Sequence, residues 1–193
     1  MDQTFTEDKT FDKVDFSKNP LPKGEYENCG FNYCEFSNSD LSEIKFIDCT
    51  FFACNLSLVK LNNTAFRNIQ FRDCKMLGLL FSNCNHFGLS LGFKNCLLDH
   101  GSFYQLKIKK TTFTNSKLLE VDFTECDLTG SLFDNCDLAR ATFERTILEK
   151  TDFRTSFNFT IDPEINRIKK AKFSLSEISG LLAKYDIEID RTS

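Results

Sequence analysis

The 193-residue chain has no tryptophan, two histidines and three prolines. With His86 and His100 as the only imidazoles, there is little material for a histidine-based metal centre or a general base. His100 falls at an outward position, and His86 reads as a satisfied core or corner side chain. A glycine-rich phosphate loop and an HExxH helix are both missing, so the sequence gives no sign of nucleotide hydrolysis or zinc proteolysis. No enzyme, cofactor or catalytic residue is expected. No run of about eighteen apolar residues occurs, and the opening MDQTFTEDKTF has neither a basic nor an apolar leader region. A cytoplasmic protein with no membrane segment is expected. The net charge of −4 is too mild to indicate a polyanion binder or an acidic tail. Charged residues make up 27%, close to the ~25% of ordinary globular proteins, so one folded body is expected.

Phenylalanine, by contrast, is abundant, with 22 copies. From Phe93 to Phe153 every fifth residue is apolar, and Phe alternates with Leu or Ile: Phe93, Leu98, Phe103, Ile108, Phe113, Leu118 and onward. The same period runs in another phase from Phe11 through Phe31, Phe51 and Phe71 to Phe81. Helices repeat apolar positions at about 3.6 residues and half-buried strands at 2, so a sustained five means one short unit stacked many times. Phe11, Phe31, Phe51 and Phe71 share a column, as do Leu21, Leu41 and Leu61, which implies four units and twenty residues per coil. About seven coils at roughly 4.8 Å each make a rod on the order of 34 Å long, an all-β solenoid with ladders of stacked Phe along its axis.

The residue two before each central position is small or apolar almost throughout and must also point inward. All nine cysteines (Cys29, Cys34, Cys49, Cys54, Cys74, Cys84, Cys96, Cys126 and Cys136) occupy it. Their odd number, the absence of a CxxC pair and this inward placement favour packing over disulfides or metal. No zinc site is expected, and reduced thiols fit the cytosol. The spacing from Phe81 to Phe93 is twelve, two more than two units, which predicts a local distortion at 86 to 92; Pro20 and Pro22 predict a minor one at 19 to 24. Residues 1 to 156 are therefore assigned to the repeat and 157 to 193 to a C-terminal cap. Ile168 and Phe173 fit one last incomplete turn. Ser174 and Glu177 then form a capping-box pattern, and Leu175, Ile178, Leu181, Leu182 and Tyr185 lie on one face of an expected short helix that either caps the rod or joins two copies. Asp186 to Ile189 alternate as a short strand would.

Units such as Cys126-Asp127-Leu128-Thr129-Gly130 and Ala141-Thr142-Phe143-Glu144-Arg145 resemble those of the pentapeptide-repeat family over about residues 9 to 155. The resemblance implies a right-handed quadrilateral β-helix. The size, the cysteine-rich small positions, the C-terminal segment and Asn85-His86-Phe87-Gly88-Leu89 are similar to the Qnr quinolone-resistance and microcin B17 immunity proteins, which bind DNA gyrase and topoisomerase IV. That similarity implies a non-enzymatic homodimer that protects a topoisomerase from quinolones or a gyrase poison, in part by imitating DNA, and it makes Phe87 and Gly88 candidate contacts in a projecting loop. The alternative is a scaffold or regulatory interaction module with no topoisomerase partner.

Charge adds a hint of its own. Glu120, Asp122, Glu125, Asp127, Asp134 and Asp137 form an acidic segment, whereas Lys60 to Lys117 is mostly basic. Placed on the coils, these acids surround the rod as a belt rather than a stripe, and they are the candidate partner-binding residues. Direct DNA binding is not expected, because Tyr104 is the one aromatic at an outward position of the basic segment.

Overall fold

The computed structural model describes residues 4–190. The chain winds into a parallel β-solenoid of about seven turns with almost no helix. Short strands β1 (Thr4–Glu7), β3 (Gly24–Glu27), β5 (Lys45–Ile47) and β7 (Ala65–Arg67) pair in parallel along what we term face 1. Face 2 is a seven-stranded ladder in the spatial order β11 (Leu132–Asp134), β10 (Thr112–Thr114), β9 (Leu91–Lys94), β8 (Ile69–Arg72), β6 (Thr50–Phe52), β4 (Gly30–Asn32) and β2 (Thr10–Asp12). Faces 3 and 4 are held by isolated parallel bridges such as Glu35↔Asn55 and Asp40↔Lys60. The pairing Phe31↔Phe51 shows the twenty-residue coil, and Phe71↔Phe93 shows the two extra residues that the spacing predicts.

The period of five follows from the backbone. From Asp8 to Lys170 the residue two after most central side chains turns the corner in the left-handed region, as at Asn63 (φ 56°), Lys110 (58°) and Gly130 (70°), with Asn83 and Thr155 among the exceptions. Asn recurs at this position because its side chain tolerates that conformation. The regular corners are interrupted between Lys13 and Asn28, where Pro20 and Pro22 sit, yet Leu21 stays buried in its column. This is the minor distortion expected there.

Face 2 carries one continuous phenyl stack: Phe11–Phe31 (4.9 Å between centroids), Phe51–Phe71 (5.1 Å), Phe93–Phe113 (5.0 Å), Phe133–Phe153 (4.9 Å) and on to Phe173. The second aromatic column changes face partway along. Tyr26, Phe46 and Phe66 occupy face 1, whereas Phe81, Phe103, Phe123 and Phe143 occupy face 4, opposite the main stack. Each fully buried ring contributes about 1.5–3 kcal/mol.

The cysteines have a structural reason beyond packing. There are two kinds of corner. At one, the small residue's N–H closes a turn onto the central carbonyl, as in Val121 N–H to Leu118 O and Ala141 N–H to Leu138 O. After the strands no such turn forms, and the N–H is taken by the side chain one coil on: Cys29 by Cys49 Sγ (3.4 Å), Cys96 by Ser116 Oγ (3.1 Å) and Cys136 by Ser156 Oγ (3.4 Å). These side chains donate in turn to carbonyls, as Cys54 does to Phe31 O and Ser156 to Phe133 O. Seven of the nine cysteines follow a strand in this way; Cys84 and Cys126 do not. Burial pushes the Cys49 and Cys136 thiols up to about 12, so they remain protonated donors.

The expected C-terminal helix and the strand after it are corrected. Ile178–Leu181 and Ala183–Tyr185 are two short 3-10 turns with i→i+3 bonds, Gly180 N–H to Glu177 O and Tyr185 N–H to Leu182 O, and residues 186–190 form no strand. Ser174 Oγ lies against Ser176 Oγ rather than capping a helix. The cause is the docking of Gly180 on the rod's end: its carbonyl accepts from Ile161 N–H (3.0 Å), and a Cβ there would lie 2.2 Å from Phe159 O. A continuous α-helix would need that carbonyl for itself.

Ser116→Ala removes only the hydroxyl and leaves the buried Cys96 N–H without an acceptor. It should cost about 1–3 kcal/mol in urea unfolding, whereas Ser116→Cys, which restores the side chain used by other rungs of the column, should stay near the parent. Equal stability of the two variants would mean that the side-chain ladder contributes nothing.

Candidate partner-binding surfaces

The chain makes one pronounced excursion within the rod. Asn85 pairs with Ala65 and Leu91 with Ile69, so residues 86–90 stand where the preceding coil has three, and Ser90 N–H bonds Phe66 O. Phe87 N–H donates to Asn85 Oδ1 (2.9 Å), Gly88 turns at φ 69°, and Leu89 folds back onto the core. His86, expected in the core or at a corner, is instead exposed, with Nε2 3.3 Å from Ser82 O. The bulge lifts it out, and Leu89 supplies the apolar contact in its place. Phe87 is 77% exposed, and the Arg67 guanidinium lies 5.4 Å from its ring centroid. A large exposed aromatic held by a turn and a cation is a ready contact for a protein partner.

Residues 88–92 also spell Gly-Leu-Ser-Leu-Gly, the G-x-S-x-G string of hydrolase nucleophile elbows. The geometry is different here. Ser90 leads into strand β9 rather than a helix, its backbone is bonded to Phe66 and Ile69, and the nearby imidazole of His86 is engaged with Ser82 O.

The six acidic candidates lie on all four sides, as the belt reading expects, but they are largely satisfied within the rod. Glu120 pairs with Arg140 (2.6 Å) and His100 (3.0 Å), and Glu125 with Arg145 (2.9 Å) and Gln105 (2.7 Å). Asp127 is buried against Lys109 (3.1 Å). Burial alone would raise its carboxyl, but bonds from Thr129 and Lys109 hold it below the usual range. Asp122 accepts from the Thr124 amide, Asp134 from the Thr155 hydroxyl and Asp137 from Asn158. Arg140 and Arg145 lie just outside the acidic segment in sequence and directly along the coil axis from its glutamates, a neutralisation that the linear reading misses.

The C-terminal candidates are divided by the cap. Leu181 is buried at the rod's end, whereas Leu175 is 89% exposed, Ile178 and Tyr185 are also exposed, and Tyr185 donates to Glu164 (2.8 Å). Leu182 is half-buried beside a shallow cleft lined with Ala183, Ile187 and Ile189. Among the described residues no cluster of potential metal ligands occurs, and no helix is long and apolar enough to cross a membrane.

The family description "Pentapeptide repeat region" matches residues 25–92 and 89–157. Trypsin-treated QnrB1, described as a plasmid-mediated fluoroquinolone resistance protein, superposes with a TM-score of 0.57 at 18% identity, covering 97% of this chain and 98% of QnrB1. Full-length QnrB1 gives a TM-score of 0.53 at 18% identity, over 95% and 100% of the two chains. No curated protein sequence matches significantly. At such identity the likeness concerns the fold, while the family match spans well over half of the residues, from Glu25 to Phe157. With its five-residue corners and stacked phenyl column, the chain belongs to the pentapeptide-repeat family.

Proposed function

We propose that the chain is a non-enzymatic protein-binding rod that engages a type II topoisomerase, DNA gyrase or topoisomerase IV, and limits poisoning by quinolones or a related inhibitor. The observation that carries this reading is a rod like that of QnrB1 along nearly its whole length, interrupted by one bulge that presents Phe87. The bulge is the principal contact. The acidic belt contributes less than a free DNA-like face would, because Glu125 and Asp127 are already paired with Arg145 and Lys109. Those same pairs favour a second reading, an interaction module that never imitates DNA and has no topoisomerase partner.

Gyrase supercoiling with the purified protein titrated in, with and without a fluoroquinolone, separates the two. Rescue of drug-inhibited supercoiling is expected, with Phe87→Ala losing most of it; no effect on gyrase or topoisomerase IV sinks the topoisomerase reading. Charge reversal at Glu125, Asp127, Asp134 and Asp137 tests the belt: unchanged binding, with the β-sheet circular dichroism retained, removes DNA mimicry from the mechanism.

The exposed Leu175 and Ile178 beyond the cap suit an end-to-end homodimer. Leu175→Asp with Ile178→Asp should yield monomers in sedimentation velocity while leaving the buried Leu181 in place. A variant that still dimerises would assign this segment to capping alone.

A further inference from the structure

The coil register gathers lysines that the sequence scatters. On face 1 the bridges Lys107↔Asp127, Asp127↔Ile147 and Ile147↔Arg167 stack four successive rungs. The first rung carries Lys107, Lys109 and Lys110, the third Lys150, and the fourth Arg167, Lys169 and Lys170. Two carboxylates interrupt them: Asp127, paired with Lys109, and Glu149, paired with Arg167 (2.6 Å). Seven cations against two acids give this strip a net of plus five, on a chain whose overall charge is −4.

The corner between faces 1 and 2 concentrates the effect. Lys110, Gly130, Lys150 and Lys170 occupy it in order, all left-handed, and Lys110 N–H to Thr129 O and Lys150 N–H to Lys169 O fix the rungs. At Gly130 a Cβ would meet Lys110 Cγ at 3.7 Å, so the Lys110 stem lies along the axis over the glycine. The ammonium groups of Lys107, Lys110, Lys150, Lys169 and Lys170 make no ion pair or side-chain hydrogen bond among the described residues. At about 4.8 Å per rung the strip runs roughly 14 Å. In these coils Glu120, Asp122, Asp137 and Glu144 lie on faces 3 and 4, with Lys117, Arg140 and Arg145 among them, and Asp134 and Asp152 lie on face 2.

We propose that this strip of face 1 binds the phosphate backbone of a nucleic-acid duplex without reading its sequence. Its unpaired cations are all lysines, which are depleted in protein–protein interfaces but suit phosphates as point charges, and its arginine is already committed to Glu149. The one outward apolar side chain on the strip, Ile147, is half-buried and offers no wedge for a lipid surface, and the positive strip, together with the net negative charge of face 4, turns this side toward a polyanion. The proposal is independent of the topoisomerase reading and departs from the expectation drawn from the linear basic segment, because it rests on residues forty and sixty apart that only the fold aligns.

The test is fluorescence anisotropy of the full chain with a short labelled DNA duplex across a salt series. Lys110→Asn, Lys150→Asn and Lys170→Asn are combined, since Asn accepts the corner conformation and spares the fold. Saturable binding at low salt is expected, and the triple variant should flatten the slope of log affinity against log salt by about 2.7, at about 0.9 per lost phosphate contact. A control triple, Lys60→Asn, Lys75→Asn and Lys94→Asn, carries the same charge change elsewhere and should keep the slope. Absence of binding at low salt, or an equal loss in the control, overturns the proposal. So does competition by polyglutamate as effective as that by duplex, which would make the partner an acidic protein segment.

Discussion

Closure of the coil at twenty residues is the constraint on which the rest of the structure depends. Most corners hold a residue in the left-handed region, where most L-residues are strained. That strain is tolerable because it fixes each side chain above its counterpart, at a spacing that suits both backbone pairing and ring stacking. The phenyl stack of face 2, the amide-capping ladder of Cys, Ser and Asn, and the surface pairs between residues twenty apart, such as Lys45 with Glu25, all follow from that one register. Specificity comes from repetition here, and no single contact dominates.

The same register explains why charge read along the sequence misleads. A run of acids passes around all four faces within one coil, whereas residues twenty apart become neighbours. Thus Glu120 and Glu125 find Arg140 and Arg145, and surface pairs of this kind are worth little individually, ~0–1 kcal/mol, but quench the field that a DNA-like face would need. Partner choice in such a rod depends on whichever side chains escape the pairing.

Most of the fold was legible because inward positions are almost purely apolar. Phe103, Leu118 and Cys126 are buried as their period requires, and the extra two residues before Phe93 appear as a bulge. The places where the reading failed each lack such a repeat. His86 kept the phase of the period while the backbone around it had left the coil, so phase no longer indicated direction. The 174–185 segment has a helical apolar pattern, but Gly180, which looked like a weak helix residue, is where the chain presses on Phe159. The two kinds of corner were invisible as well: both place a small residue inward, and only the hydrogen bonds separate Cys96, whose amide needs Ser116, from Val121, whose amide closes a turn.

The interior thiols give the rod an internal record of its own breathing. Cysteines sit from the second coil nearly to the last, buried and, where burial raises them to about 12, protonated and inert. A thiol of this kind reacts only when its own coil opens. Because stacked units touch only their neighbours, each cysteine samples the separation of one rung from the next. The sequence thus carries its own set of position-resolved probes of how a solenoid frays, from the two ends inward or outward from the bulge at 86–89.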